Sequence, residues 1–124
     1  MPPLLLVMAG GAIGAGFRYH VGRIALSSLS PGFPWGTWIV NIAGGFLMGA
    51  LAATFVRAGV GEPLRLFLGV GVLGGFTTFS AFSLEMFLML QRGEFVTATA
   101  YAISSVAGSI VALFLGFQAV RVLA

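Results

Sequence analysis

Apolar residues run almost unbroken from about Leu4 to Leu26, Trp35 to Val56, Leu64 to Leu90 and Phe95 to about Leu123. Three of these stretches pass the ~20-residue length of a transmembrane helix with few or no charges, and a fourth nearly does. Between them lie short polar segments. Ser27-Ser28-Leu29-Ser30-Pro31-Gly32-Phe33-Pro34 reads as a loop from its Ser, Pro and Gly content. Arg57-Ala58-Gly59-Val60-Gly61-Glu62-Pro63 and Gln91-Arg92-Gly93-Glu94 read as turns. The pattern predicts an all-α membrane protein: one domain over residues 1–124, with helices at about 4–26, 35–56, 64–90 and 95–123.

The third run breaks its own pattern. Gly74-Gly75-Phe76-Thr77-Thr78-Phe79-Ser80-Ala81-Phe82-Ser83 places paired glycines and four hydroxyls inside an otherwise apolar span. Such residues serve no purpose in a helix that only has to dissolve in lipid. Freed backbone at membrane depth is tolerated only where it is buried in protein or lines a polar path. The third helix is therefore expected to be broken near its middle, at a functional site.

Composition narrows the classes further. Hydrophobic residues make up 59% of the chain and charged residues 7%, against about a quarter charged in a soluble domain. The absence of cysteine excludes disulfides and thiolate metal sites, and a single histidine, His20, excludes a multi-histidine site within one chain. The net charge is +3, and all six basic residues are arginines scattered singly between apolar runs. A nucleic-acid surface clusters its basic residues on one face, so no nucleic-acid partner is expected. A secretory signal carries its positive charge before its apolar region, whereas Arg18 and Arg23 come after the apolar residues that open the first run, so that segment is expected to be retained. Three glutamates and one histidine, spread over different segments, offer no nucleophile–base pairing. No enzyme is expected.

Four crossings put both termini on one side. Arg57, Arg65 and Arg121 then share the terminal side, while Arg18, Arg23 and Arg92 share the other. Orientation follows the Lys/Arg bias of the flanking loops, and that bias is absent. Either the chain inserts both ways and works as an antiparallel homodimer, or a few misplaced helix ends conceal a weak bias.

Several polar groups remain inside the apolar runs. Asn41 either ties a neighbouring helix or offers its amide to a ligand. Tyr101, Ser105 and Ser109 recur every fourth residue and form one polar stripe, as packing positions or as a track. Phe79 and Phe82 share a helix face. Such rings usually just pack, yet their positive edges could favour a small anion, with donors from Thr78, Ser80 and Ser83. Glu85 is the one acid well inside a run, either a proton carrier or a helix anchor. Arg18 either snorkels or faces an anion. Gly10/Gly14, Gly45/Gly49 and Gly71/Gly75 each place two glycines on one helix face, where backbones can approach closely. Only the last pair overlaps the expected break.

Gly11-x-x-Gly14-Ala15-x-x-Arg18-Tyr19, then Gly36-Thr37-x-x-x-Asn41-x-x-Gly44, then Gly74-Gly75-Phe76-Thr77-Thr78-Phe79-Ser80-x-Phe82 with Glu85, together resemble the small bacterial fluoride channel family (Fluc). The resemblance is strong over three of the four segments, in order, spacing and length. Ala81 departs from it, where the family often has Thr.

The resemblance implies a dual-topology homodimer in the cell's inner membrane, with two fluoride pores built from both subunits. It implies a structural Na+ at the dimer centre, bound by the backbone carbonyls of Gly74 and Thr77. It implies pore roles for Phe79 and Phe82 as an aromatic box, for Asn41 as a donor, and for Ser105 and Ser109 in a polar track; Arg18 would face an aqueous vestibule. With Thr78, Ser80 and Tyr101 these form the candidate fluoride-binding set. The family exports fluoride passively. Two rivals remain. A small dual-topology proton-coupled exporter of organic cations would need Glu85 as its acid, late in the third segment between Phe82 and Phe87. A non-transporting helper subunit would have little use for the hydroxyl-rich break.

The charge balance generates a test. A reporter fused to the C-terminus is expected on both faces of the membrane in comparable amounts; a reporter on one face alone would refute dual insertion.

Overall fold

The computed structural model describes residues 2–123. Within them the fold is wholly helical, and four helical spans are long and apolar enough to cross a membrane. Helix α1 (Pro3–Ser28) opens on Pro3, whose missing N–H is one a helix start leaves unbonded anyway. Helix α2 (Trp35–Ala58) stops at Gly59, whose φ of 61° is the left-handed conformation that closes helix ends. The third span covers Glu62–Gln91. Its two pieces are named α3 (residues 62–76) and α4 (Phe79–Gln91). Helix α5 (Phe95–Leu123) completes the bundle. The turn before it is a Schellman closure. Gly93, at φ 76°, donates to Leu90 O, and Glu94 donates to Met89 O.

The break falls where the sequence predicts it. Thr77 (φ −89°, ψ 158°) and Thr78 (φ −151°, ψ 124°) are extended. Helix α3 is itself irregular, because Arg65–Leu73 is wound as a π-helix, a rare winding that often marks functional sites. Helix α4 restarts on an N-cap: the Thr78 hydroxyl accepts from the Ala81 N–H at 3.2 Å. A run of paired glycines followed by a capping threonine thus ends one helix and begins the next. The four spans run Pro3–Ser28, Trp35–Ala58, Glu62–Gln91 and Phe95–Leu123.

Two close helix pairs build the bundle, α1 with α3 and α2 with α5. Lipid offers no hydrophobic drive between helices, so close backbone approach has to supply dispersion instead. All three glycine pairs supply it. A Cβ on Gly10 would overlap the Phe67 carbonyl, and one on Gly14 the Val72 carbonyl. Gly45 and Gly49 lie in the same way against Ser109 and Leu113 of α5. Gly71 and Gly75 rest on Gly10 and Gly11, with each Cα 3.0 Å from where a Cβ would stand. The third pair therefore packs as well as flanking the break.

At the far end of the bundle from the termini, Tyr101, Met89 and Ala98 form a buried cluster beneath Phe33, Trp38, Phe82 and Met86. Tyr101 is fully buried, with Phe33 edge-on at 5.3 Å and Phe82 tilted against it at 5.0 Å. Trp38 joins α2 to α5 by donating its indole N–H to Ser104 Oγ at 3.0 Å.

Gly49→Val puts branched carbons against the Leu113 backbone, so α2 and α5 must separate. A loss of at least ~1–3 kcal/mol is expected, read as a lower unfolding midpoint in detergent. Gly16 has nothing within 4 Å of its Cβ position, so Gly16→Ala is expected to be neutral or to stabilise by up to about 1 kcal/mol.

Candidate functional site

The break is held by side chains from two other helices. Asn41, in the N-terminal half of α2, lies against Thr78 and pairs with it as one backbone pairs with another. Thr78 N–H donates to Asn41 Oδ1 at 2.8 Å, and Asn41 Nδ2 donates to Thr78 O at 2.9 Å. The tie to a neighbouring helix is therefore real. One N–H of the amide is spent on it, and the other meets no acceptor among the described residues. From α1, Arg18 Nε donates to Gly75 O at 3.1 Å, across 57 residues of chain. Thr77 stays with α3, sending both its N–H and its hydroxyl to Leu73 O.

These bonds leave some carbonyls over. In a continuous helix Thr78 N–H would bond Gly74 O, but it is turned to Asn41. Among the described residues no donor reaches the carbonyl oxygens of Gly74 or Thr77. The end of α3 is thus a cluster of partly unpaired acceptors, while the start of α4 presents N–H groups. By the helix dipole the former is negative and the latter positive.

Two openings meet at the break. A groove of about 410 Å³ is lined by Asn41, Gly44, Gly45 and Met48 of α2, by Thr77, Thr78, Phe79 and Phe82, and by one face of α5 including Ser105 and Ser109. The sequence-predicted residues Asn41, Thr78, Phe79, Phe82, Ser105 and Ser109 are therefore together. Phe79 and Phe82 stand 5.6 Å apart by ring centroid, with Phe79 exposed and Phe82 half-buried. Ser105 is buried, and its hydroxyl has no partner among the described residues. A buried hydroxyl without a bond is uncommon in folded proteins and calls for an explanation.

The second opening is a cavity of about 330 Å³ beneath the loop between α1 and α2. Its lining includes Arg18, Tyr19, Arg23, Thr37, Thr78 and Glu85. Thr78 borders both openings. Arg18 lines this cavity and also holds the break.

Two members of the predicted set lie elsewhere. Ser80 is exposed and borders neither opening, with its hydroxyl 3.4 Å from that of Thr78. Tyr101 is sealed in the aromatic cluster and lines neither opening. Its hydroxyl donates to Glu85 Oε1 at 2.8 Å, and Thr37 Oγ1 donates to Glu85 Oε2 at 3.0 Å. Of the two readings of Glu85, the helix anchor is the one the geometry displays: the carboxylate joins α4 to α2 and α5. Thr37 is the member of this network that pattern reading passed over. It stands in the Gly36-Thr37-x-x-x-Asn41 motif but was given no role there. No group of three or more His, Cys, Asp or Glu side chains that could hold a metal occurs among the described residues.

Comparison with known proteins bears on this geometry. Residues 5–117 match the family model described as CrcB-like protein, Camphor Resistance (CrcB). The chain is 55% identical over 123 residues to a protein of Phenylobacterium zucineum, covering 98% of this chain and 97% of that one. It is 52% identical over 123 residues to one of Novosphingobium aromaticivorans, covering 98% of both. It is 51% identical over 123 residues to one of Caulobacter vibrioides, covering 98% and 97%. Each of these relatives carries the name fluoride-specific ion channel FluC.

The carboxylate network can be tested by itself. Tyr101→Phe removes one donor from Glu85 and is expected to destabilise the protein by about 1–3 kcal/mol, read as a lower unfolding midpoint. Thr99, whose exposed hydroxyl bonds only to Phe95 O of its own helix, serves as the contrast. Thr99→Ala is expected to stay within about 0.5 kcal/mol.

Proposed function

The chain belongs to the CrcB-like family, and from that footing we propose that it is a fluoride-specific ion channel that lets fluoride leave the cell passively through the inner membrane. The single observation that carries this reading is the groove at the broken third span. There the buried, unpartnered hydroxyl of Ser105 lies with Asn41, Ser109 and two phenyl rings. Moving a carboxylate-sized ion into a medium of low dielectric costs on the order of 20 kcal/mol. Fluoride is smaller and more strongly hydrated, so its cost is higher. A path for it must replace water with fixed donors while binding weakly enough to let the ion go on. The groove holds the parts: the second N–H of Asn41, the hydroxyls of Ser105 and Ser109, and ring edges of Phe79 and Phe82. The N-terminal end of α4 adds positive potential beside them.

The cavity beneath the first loop suits the role of an aqueous vestibule. Arg18 and Arg23 give it positive charge, and Thr78 stands where it meets the groove.

A single protomer leaves the groove open on one side. The balanced arginines favour insertion in both orientations, and a second, inverted copy is the occupant that would complete two such paths per antiparallel homodimer within membrane lipid. The break would lie near the centre of that pair. A structural Na+ would be held there by the backbone carbonyls of Gly74 and Thr77. The fit rests on two facts: these oxygens have no hydrogen-bond donor among the described residues, and carbonyl oxygens suit a hard cation. When bound, such an ion supplies positive charge and ties the two copies together.

A proton-coupled organic-cation exporter needs a free acid in a roomy mid-membrane cavity. Glu85 is bonded through both oxygens and serves as an anchor, so that alternative is not favoured.

Liposomes loaded with fluoride and carrying the protein are expected to release it when the membrane potential is dissipated, and chloride-loaded liposomes are not. Protein-free leak rates would refute the channel. Phe79→Ile and Phe82→Ile are each expected to slow the flux, and Asn41→Asp to slow it more than Asn41→Ala, because a carboxylate repels the anion. Unchanged flux in both ring variants would remove the rings from the path.

A further inference from the structure

The bonds around the break point to a role for Asn41 that its place in the groove does not reveal. A helix that merely ended at Phe76 would have two ways to satisfy its last carbonyls: it could bond the N–H groups that follow, or accept donors from its neighbours. Here three of the neighbouring groups are already engaged. Thr77 N–H stays with Leu73 O. Gly75 O is taken by Arg18. Ala81 N–H is taken by the Thr78 hydroxyl. The remaining N–H in reach of α3 is that of Thr78, whose natural acceptor four residues back is Gly74 O. Asn41 Oδ1 takes it instead at 2.8 Å, and the companion bond from Nδ2 to Thr78 O at 2.9 Å locks the peptide in that sense. With Thr78 extended and held away, Gly74 O has no competitor for its lone pairs.

Resting on the reading that Gly74 and Thr77 carbonyls hold a cation, we infer that Asn41 is a positioning residue for that cation. By accepting the Thr78 N–H it prevents the chain from spending the Gly74 carbonyl on an ordinary helical bond. The amide is well chosen for this. It carries an acceptor and a donor at the spacing of a peptide group, so one side chain satisfies both polar groups of Thr78. Without it, both would lie unpaired among helices, which is costly for buried polar groups. The cheapest remedy is for α3 to wind one residue further, returning Thr78 N–H to Gly74 O. Pore and cation site then share one residue: Asn41 lines the groove, and its oxygen shapes the cation site.

The test measures Na+ binding, not ion flux. The purified full-length protein in detergent is titrated with NaCl against a background of N-methylglucamine chloride, and the rise in unfolding midpoint gives an apparent Na+ affinity. Wild type is expected to show a saturable, Na+-selective rise. Asn41→Ala is expected to weaken the apparent affinity at least tenfold. Trp38→Phe removes a comparable bond from the same helix, that to Ser104 on α5, without touching the break. It is expected to lower the midpoint while leaving the Na+ titration at the wild-type position. If Asn41→Ala does not fold, Asn41→Leu, which fills the space without an acceptor, takes its place with the same expectation.

The outcomes separate. A wild-type protein insensitive to Na+ overturns the cation reading and this inference with it. A Na+-sensitive wild type with an equally sensitive Asn41 variant overturns this inference alone. Equal loss in Trp38→Phe overturns it too, by showing that general loosening of α2 is enough.

Discussion

Inside a hydrocarbon layer no backbone N–H or C=O can be left to water, so an interrupted helix has to find every partner within the protein. The interruption at Thr77 and Thr78 meets much of this demand with three side chains, leaving the Gly74 and Thr77 carbonyls without a donor among the described residues. The Asn41 amide takes both sides of the Thr78 peptide, the Arg18 guanidinium takes the Gly75 carbonyl, and the Thr78 hydroxyl caps α4. Each comes from a different helix or helix end. The break is therefore a property of the bundle as much as of the third span.

Close packing makes those reaches possible. Arg18 meets Gly75 because α1 and α3 touch through Gly10, Gly11, Gly14, Gly71 and Gly75 without intervening side chains. Asn41 stands among the α2 positions that adjoin the break and α5, where Gly44 faces Thr77 and Gly45 faces Ser109. A Cβ at any of several of these positions would overlap a backbone atom of the facing helix. The glycines so common in this chain are thus part of the same device as the polar side chains: they set the distance over which those side chains must act.

The geometry also gives the break two electrical ends. Carbonyls gather where α3 stops and N–H groups where α4 starts, so opposite partial charges stand within one short stretch of chain. The groove with Ser105, Phe79 and Phe82 adjoins the start of α4, while the Gly74 and Thr77 oxygens belong to the other end. Glu85 is a fixed part of the frame, held by Thr37 and Tyr101.

Much of this was legible in the order of residues. The four spans, the turns at Gly59 and Gly93, and the interruption after Gly75 follow from local chemistry: apolar length, left-handed glycines, and a threonine able to cap a helix. Asn41, Phe79, Phe82, Ser105, Ser109 and Arg18 could be picked out because polar or paired aromatic residues stand out against an apolar background. Their partners could not. Thr78 is 37 residues from Asn41, Gly75 is 57 from Arg18, and Thr37 is 48 from Glu85. Periodicity reports which residues share a face of one helix, and it is silent on which faces meet. Tyr101 shows the limit: the four-residue spacing sets it in line with Ser105 and Ser109, but only the packing of Phe33 and Phe82 over its ring removes it from the groove and turns its hydroxyl to Glu85. Sequence alone determined that the third span would break and which side chains were available to tend it. The tertiary structure decided which atoms each of them satisfies, because a hydrogen bond depends on ångström-scale distances between helices that close glycine contacts establish.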